Sequence, residues 1–117
     1  MATRKKKTKH TCIIAEKPIA KGRPRLGRRG RVFTPQRTLD AEAAIAAAWD
    51  GPKFEGPVKL SVVFLYDSMQ VTVEQYPDGS SRLRGDVDNY LKTVMDGLNG
   101  VAWLDDKQVF AVEAEKT

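Results

Sequence analysis

The stretch that most constrains this chain is residues 58–66, where Val58, Leu60, Val62, Phe64 and Tyr66 fall on one face of an extended segment. Val63 and Leu65 place apolar groups on the other face, so the pattern predicts a strand covered on both sides. A strand of that kind belongs in the middle of a sheet. A chain of 117 residues has material for one domain with one modest core. The remaining segments must therefore supply both neighbours and cover.

Residues 11–15 are a short β-prone run. Thr34 and Pro35 predict a helix start, with Thr at the N-cap and Pro at the first helical position. The Ala-rich stretch carries that helix to Trp49, and Asp50-Gly51-Pro52 stops it. Leu39, Ala43 and Ala46, with Ile45 and Trp49, form its expected buried stripe. Residues 70–76 alternate Val71 and Val73 with polar groups, Pro77-Asp78-Gly79-Ser80 is a turn, and a return through residues 81–84 completes an expected hairpin. A second helix begins near Asp88, with Leu91, Val94, Met95 and Leu98 on one face, and Asn99-Gly100 ends it. Residues 108–113 read as a last strand. The expectation is an α+β fold: a mixed β-sheet with two helices packed on it, in a single domain over residues 10–117, behind a disordered basic tail at residues 1–9.

Charge is distributed unevenly. Residues 1–37 hold 13 Lys and Arg and one acid, Glu16, for a net +12, whereas residues 38–117 carry −7, leaving +5 overall. The first third predicts a polyanion partner, nucleic acid first among them. The plainer alternative is that the basic arm neutralises the acidic body. Within it, residues 17–31 contain Pro18, Gly22, Pro24, Gly27 and Gly30 and read as a basic loop. Its glycines allow close backbone approach, and Lys21, Arg23, Arg25, Arg28, Arg29 and Arg31 suit phosphates. One Cys and one His argue against an internal disulfide framework and a structural zinc site. Cys12 reads as a small buried hydrophobe and His10 as part of the tail with no evident partner. Trp49, Trp103, Phe64 and Phe110 read as core rather than as base-stacking platforms. No apolar run approaches a membrane span and no leader-like apolar stretch follows the basic start, so the expected location is cytoplasmic.

A polyanion binder that gathers acids in its body needs a reason for them, and a cation bridging carboxylates to phosphates is one. Asp86 and Asp88 stand two apart where extended chain turns into helix, so both can face one side. Lys92 follows Asp88 by one helical turn, and Asp105-Asp106 opens the expected last strand. Converging carboxylates repel unless compensated; a hard divalent cation compensates them and supports phosphodiester hydrolysis, with Lys92 stabilising developing charge. Each part also has an ordinary reading. Asp86 or Asp88 can be an N-cap, Lys92 an exposed helix partner and Asp105-Asp106 turn residues.

Together these elements resemble the RusA family. They are Lys21-Gly22-Arg23-Pro24-Arg25, then Thr34-Pro35 with Thr38 and Glu42, then Asp86-x-Asp88-Asn89-x-x-Lys92 with Asp96, then Asp105-Asp106-x-Gln108-Val109. Those proteins are Holliday junction resolvases, small endonucleases often encoded by bacteria and their phages. The resemblance implies metal-binding carboxylates at Asp86, Asp88 and Asp106, a catalytic lysine at Lys92, and supporting roles for Asn89 and Asp105. It further implies a homodimer, Mg²⁺ or Mn²⁺ as cofactor, four-way junction DNA rather than a small molecule as substrate, and paired symmetric nicking in recombination and repair. The two-fold symmetry of a junction matches that of a C₂ dimer. Two features depart from the family pattern: the segment over residues 69–84 is longer than in the shortest members, and the chain ends at Thr117 where many members continue with another strand. The competing reading is a non-catalytic nucleic-acid-binding module whose acids are structural.

Overall fold

The structure is a computed structural model and describes residues 8–22, 25–27, 30–76 and 81–117, without the side chains of Arg25 and Leu26. Of the expected tail over residues 1–9, residues 1–7 lie outside the described residues, as does the expected turn at residues 77–80, whereas Lys9 belongs to a strand rather than to a tail. The elements are β1 (Lys9–Ile14), β2 (Arg25–Leu26), β3 (Val32–Phe33), α1 (Gln36–Ala48), β4 (Val58–Phe64), β5 (Met69–Gln75), α2 (Val87–Leu98) and a 3₁₀ turn at Asp106–Gln108. The chain divides into two compact units, Met1–Pro77 and Asp78–Thr117. The α+β class is as expected.

The first unit is built on a three-stranded sheet of order β1-β5-β4. Both pairings are antiparallel, so the sheet is not the mixed one expected. β4 is an edge strand rather than the central one. The connection after Phe64 is short enough for Leu65 N–H to donate to the Ser68 carbonyl at 2.9 Å, which makes β4 and β5 a hairpin. β1 then takes the other side of β5. Apolar alternation reports how much surface a strand must bury; the hairpin decides which edge is paired. β4 consequently leaves Leu60 at 62% and Phe64 at 67% exposure, and Phe64 is not the core residue expected.

The core lies on one face of β1 and β5. Cys12 and Ile14 alternate inward from β1, opposite Val71 and Met69. Cys12, Ile14 and Met69 are buried, with Ala48, Trp49 and Val71 packed against them. The Cys12 thiol donates to the Ala48 carbonyl at 3.3 Å, tying β1 to the end of α1. Thr11 and Thr72 share a hydroxyl hydrogen bond at 2.9 Å, a registered cross-strand pair.

Helix α1 starts one position later than expected. Pro35 is its N-cap and no side chain caps it. Its buried residue is Thr38, with Ala41, Ala44 and Ala48 half-buried on the same side. Leu39, Ala43 and Ala46, the expected stripe, are exposed. A helix rich in alanine has little amphipathic contrast to read, and the packing of Ala48 and Trp49 on β1 selects the inward face.

His10, expected to lack a partner, has one. Its Nε2 lies 2.6 Å from Asp50 Oδ1, and its ring meets Trp49 edge-on at 5.1 Å. Trp49 Nε1–H donates to the Pro52 carbonyl at 3.0 Å. A Cβ on Gly51 would run into both rings, so glycine is required where the chain leaves α1. Hydrogen bonding from His10, aided by the Cys12 thiol, holds the Asp50 carboxyl below its ordinary value of 3.8. A lowered carboxyl pKa stabilises the fold above the unfolded value, and that contribution is lost as pH falls through the folded one. Asp50→Asn is therefore expected to melt below the wild type at about pH 5, with the gap closing in stronger acid. Thermal unfolding across that pH range measures it.

Candidate functional site

Two regions of the chain carry the residues singled out by sequence, one in each unit. In the second unit, the local structure begins at Gly85. Its N–H donates to Tyr90 Oη at 3.0 Å, and its carbonyl accepts from Lys116 Nζ at 3.1 Å. A Cβ on Gly85 would lie 2.9 Å from Tyr90 Cζ and Oη, so this peptide can be clasped by Tyr90 only as glycine. The clasp sets the direction in which the chain enters α2. Neither Tyr90 nor Lys116 was legible as a positioning residue, because each works through a backbone group rather than through a charge pattern.

Asp86 occupies the N-cap of α2 with extended φ −75° and ψ 145°. Its carbonyl accepts from the N–H groups of Asn89 at 3.1 Å and Tyr90 at 3.3 Å, but its carboxylate makes no capping hydrogen bond. The ordinary reading of Asp86 as a side-chain cap therefore does not hold. Asp88 lies in the first helical turn, and both acids are exposed. Negative charge there is favoured by the positive end of the helix dipole. Lys92 is exposed and forms no salt bridge with Asp88. Asn89 is exposed, and its carbonyl accepts from the Thr93 hydroxyl at 3.3 Å.

The paired acids farther along have different duties. After Asn99 the chain reverses through Gly100, whose φ of 80° suits glycine, and Gly100 N–H donates to the Trp103 carbonyl at 2.7 Å. Asp105 Oδ1 then accepts from Lys107 N–H at 2.9 Å. Gln108 Oε1 accepts from the N–H groups of Leu104 at 2.6 Å and Asp105 at 3.1 Å. This is a reciprocal cap on the 3₁₀ turn. Asp106 instead accepts at Oδ1 from Trp103 Nε1–H at 2.8 Å and is half-buried. Asp105 and Gln108 thus build the turn, while Trp103 orients Asp106. The expected strand over residues 108–113 does not form, because the Gln108 side chain is committed to backbone groups that close a turn. Phe110, expected in the core, is 96% exposed.

Carboxylate oxygens are the donors that a hard divalent cation takes. Among the described residues, no group of three or more His, Cys, Asp or Glu side chains is placed to hold a metal ion. Asp86 and Asp88 share the start of one helix; Asp106 does not join them in such a group within the single chain.

In the first unit, two residues of the basic segment pair with the strand that follows it, so the segment is not a plain loop throughout. β2 and β3 pair antiparallel, Arg25 opposite Phe33 and Leu26 opposite Val32. Gly27 N–H donates to the Arg31 carbonyl, and Gly30 takes a φ of 72°. Lys21 and Arg31 are exposed. Arg23, Arg28 and Arg29 lie outside the described residues, as does the side chain of Arg25.

A family model described as endodeoxyribonuclease RusA matches residues 16–117. No curated protein and no solved structure matches the chain. Among the described residues, no helix is long and apolar enough to cross a membrane.

The division of labour within the acidic pair has a stability signature. Asp105→Ala is expected to cost about 0.5–2 kcal/mol, the usual loss of a cap. Asp106→Asn keeps an acceptor for Trp103 and is expected to stay within about 0.5 kcal/mol of the wild type. Urea unfolding of the two variants compares them.

Proposed function

Because the chain belongs to the RusA family of endodeoxyribonucleases, we propose that it resolves four-way DNA junctions by paired symmetric nicks, in a Mg²⁺-dependent reaction serving recombination and repair. The observation that carries this reading is the state of the acids at the start of α2. Asp86 sits where a carboxylate would normally cap, yet its side chain is not spent on capping. A chain with +12 over its first 37 residues keeps uncommitted acids in its body at an electrostatic cost to DNA binding, unless they hold a cation.

Asp86 and Asp88 would hold Mg²⁺, or Mn²⁺ in its place, and Asp106, which stands outside such a group in the single chain, would have to be brought to them to complete the set. A bound divalent cation supplies an acidified water and neutralises charge on the phosphate. Lys92, free of an ion pair with Asp88, contributes a cation that stabilises charge on the phosphoryl oxygens. Trp103 keeps the Asp106 carboxylate in one orientation through its indole N–H. Asn89 and Asp105 support the two acidic turns. Lys21, Arg23, Arg25, Arg28, Arg29 and Arg31 hold the sugar-phosphate backbone, positioning the DNA without reading its bases.

A homodimer belongs to the same proposal. Val101 at 80%, Leu104 at 88% and Phe110 at 96% exposure are large apolar groups that a partner surface would cover. A two-fold axis would present two identical sites to opposed strands of a junction. The proposed setting is the bacterial cytoplasm, with the protein encoded by a bacterium or its phage.

Asp88→Asn separates the parts. It is expected to lower junction cleavage by about two orders of magnitude or more, while junction binding is kept or tightened by the loss of one negative charge. Gel-shift and single-turnover nicking assays on one labelled junction measure both. Parallel loss of binding and cleavage would overturn the assignment, as would full cleavage by the variant.

A further inference from the structure

The basic segment over residues 17–31 is hydrogen-bonded to α1 through Gly22. Thr38 is the buried polar side chain among the described residues, 5% exposed, and it lies in the first turn of α1. Its Oγ1 accepts the Gly22 N–H at 3.0 Å. A buried hydroxyl without a partner is costly, and a helical threonine ordinarily turns its hydroxyl back to its own helix. Here the hydroxyl faces Gly22, between Lys21 and Arg23. The approach is close. A Cβ on Gly22 would stand 3.0 Å from Pro35 Cγ and 3.1 Å from Thr38 Oγ1, so glycine lets the backbone reach the helix. Earlier in the same segment, Lys17 Nζ lies 4.6 Å over the Tyr66 ring.

We propose that Thr38 is a positioning residue for DNA binding, whose hydroxyl fixes the Gly22 peptide against the start of α1. Lys21 and the chain leading to Arg23 and Arg25 then depart from a set point on a rigid element. A basic segment anchored before DNA arrives loses less freedom on binding, and releasing the anchor lowers the fraction of molecules competent to bind. This rests on the reading that the basic segment grips DNA.

The test is the dissociation constant for a labelled four-way junction in chelator, where no cleavage intervenes. Thr38→Val keeps shape and removes the acceptor; it is expected to weaken binding about threefold to tenfold, the yield of one net hydrogen bond. Thr38→Ser keeps the hydroxyl and is expected to bind within about twofold of wild type. Gly22→Ala is expected to behave as Thr38→Val does, and keeps the test open should that variant fail to fold. Wild-type affinity in Thr38→Val and Gly22→Ala, with weakened binding in a Lys21→Ala/Arg31→Ala variant, would overturn the anchor and leave the DNA track standing. Equal weakening in Thr38→Val and Thr38→Ser would also overturn it. Unchanged affinity and salt dependence in the Lys21→Ala/Arg31→Ala variant would instead remove the DNA-track reading, and the anchor with it.

Discussion

Opposite charges cannot share a DNA-facing surface at no cost, and this chain sorts them along its length. Residues 1–37 carry +12 and the remainder −7. Phosphate repels exposed carboxylate, so acids kept in a DNA-binding protein must be distant from the DNA, spent on structure, or bridged to phosphate by a cation. The acids of interest divide among these fates. Asp105 is spent on capping a 3₁₀ turn. Asp50 is spent on His10. Among the described residues, Asp86 and Asp88 have no ion-pair partner and Asp86 makes no capping hydrogen bond, and it is these that the nuclease chemistry would use.

The local architecture of the second unit serves that economy. Two backbone arrangements, the Gly85 peptide clasped by Tyr90 and Lys116 and the reciprocal cap of Asp105 and Gln108, fix where chain direction changes. Each arrangement sits immediately beside an acid it leaves available: Asp86 next to Gly85, Asp106 next to Asp105. Trp103 adds the remaining restraint by holding one oxygen of Asp106. In the first unit Thr38 plays a comparable part for the basic segment. Contacts to backbone groups and one indole N–H do the positioning, and the carboxylate of Asp86 is left out of them.

Much of this was legible in the chain, and the misses have physical causes. α2 is legible nearly to its ends, because Leu91, Val94, Met95 and Leu98 repeat at helical spacing and Asn99-Gly100 supplies a stop. β1 and Cys12 as a buried hydrophobe were equally plain. The two-faced apolar pattern of β4 predicts a central strand, yet periodicity says nothing of partner order. The last strand failed for a different reason: Gln108 looked like a strand residue, and its side chain closes a turn. The inward face of α1 is not legible in the sequence, because alanines carry little contrast and its buried residue is a threonine. The partner of His10, Asp50, is distant in sequence, and no local pattern announces the pair. Of the candidate site, the acids and Lys92 were readable as a pattern. Tyr90, Trp103 and Lys116 were not, since nothing in their spacing announces the backbone group or carboxylate they hold.

The most direct measurement is incubation of the protein with a labelled four-way junction and a matched linear duplex, each with Mg²⁺ and with chelator. The expected result is a pair of symmetric nicks in the junction, dependent on Mg²⁺, and an intact duplex. A junction bound but uncut in Mg²⁺ would contradict the nuclease assignment and favour a binding module with structural acids. Cutting that persists in chelator would contradict the role given to Asp86, Asp88 and Asp106.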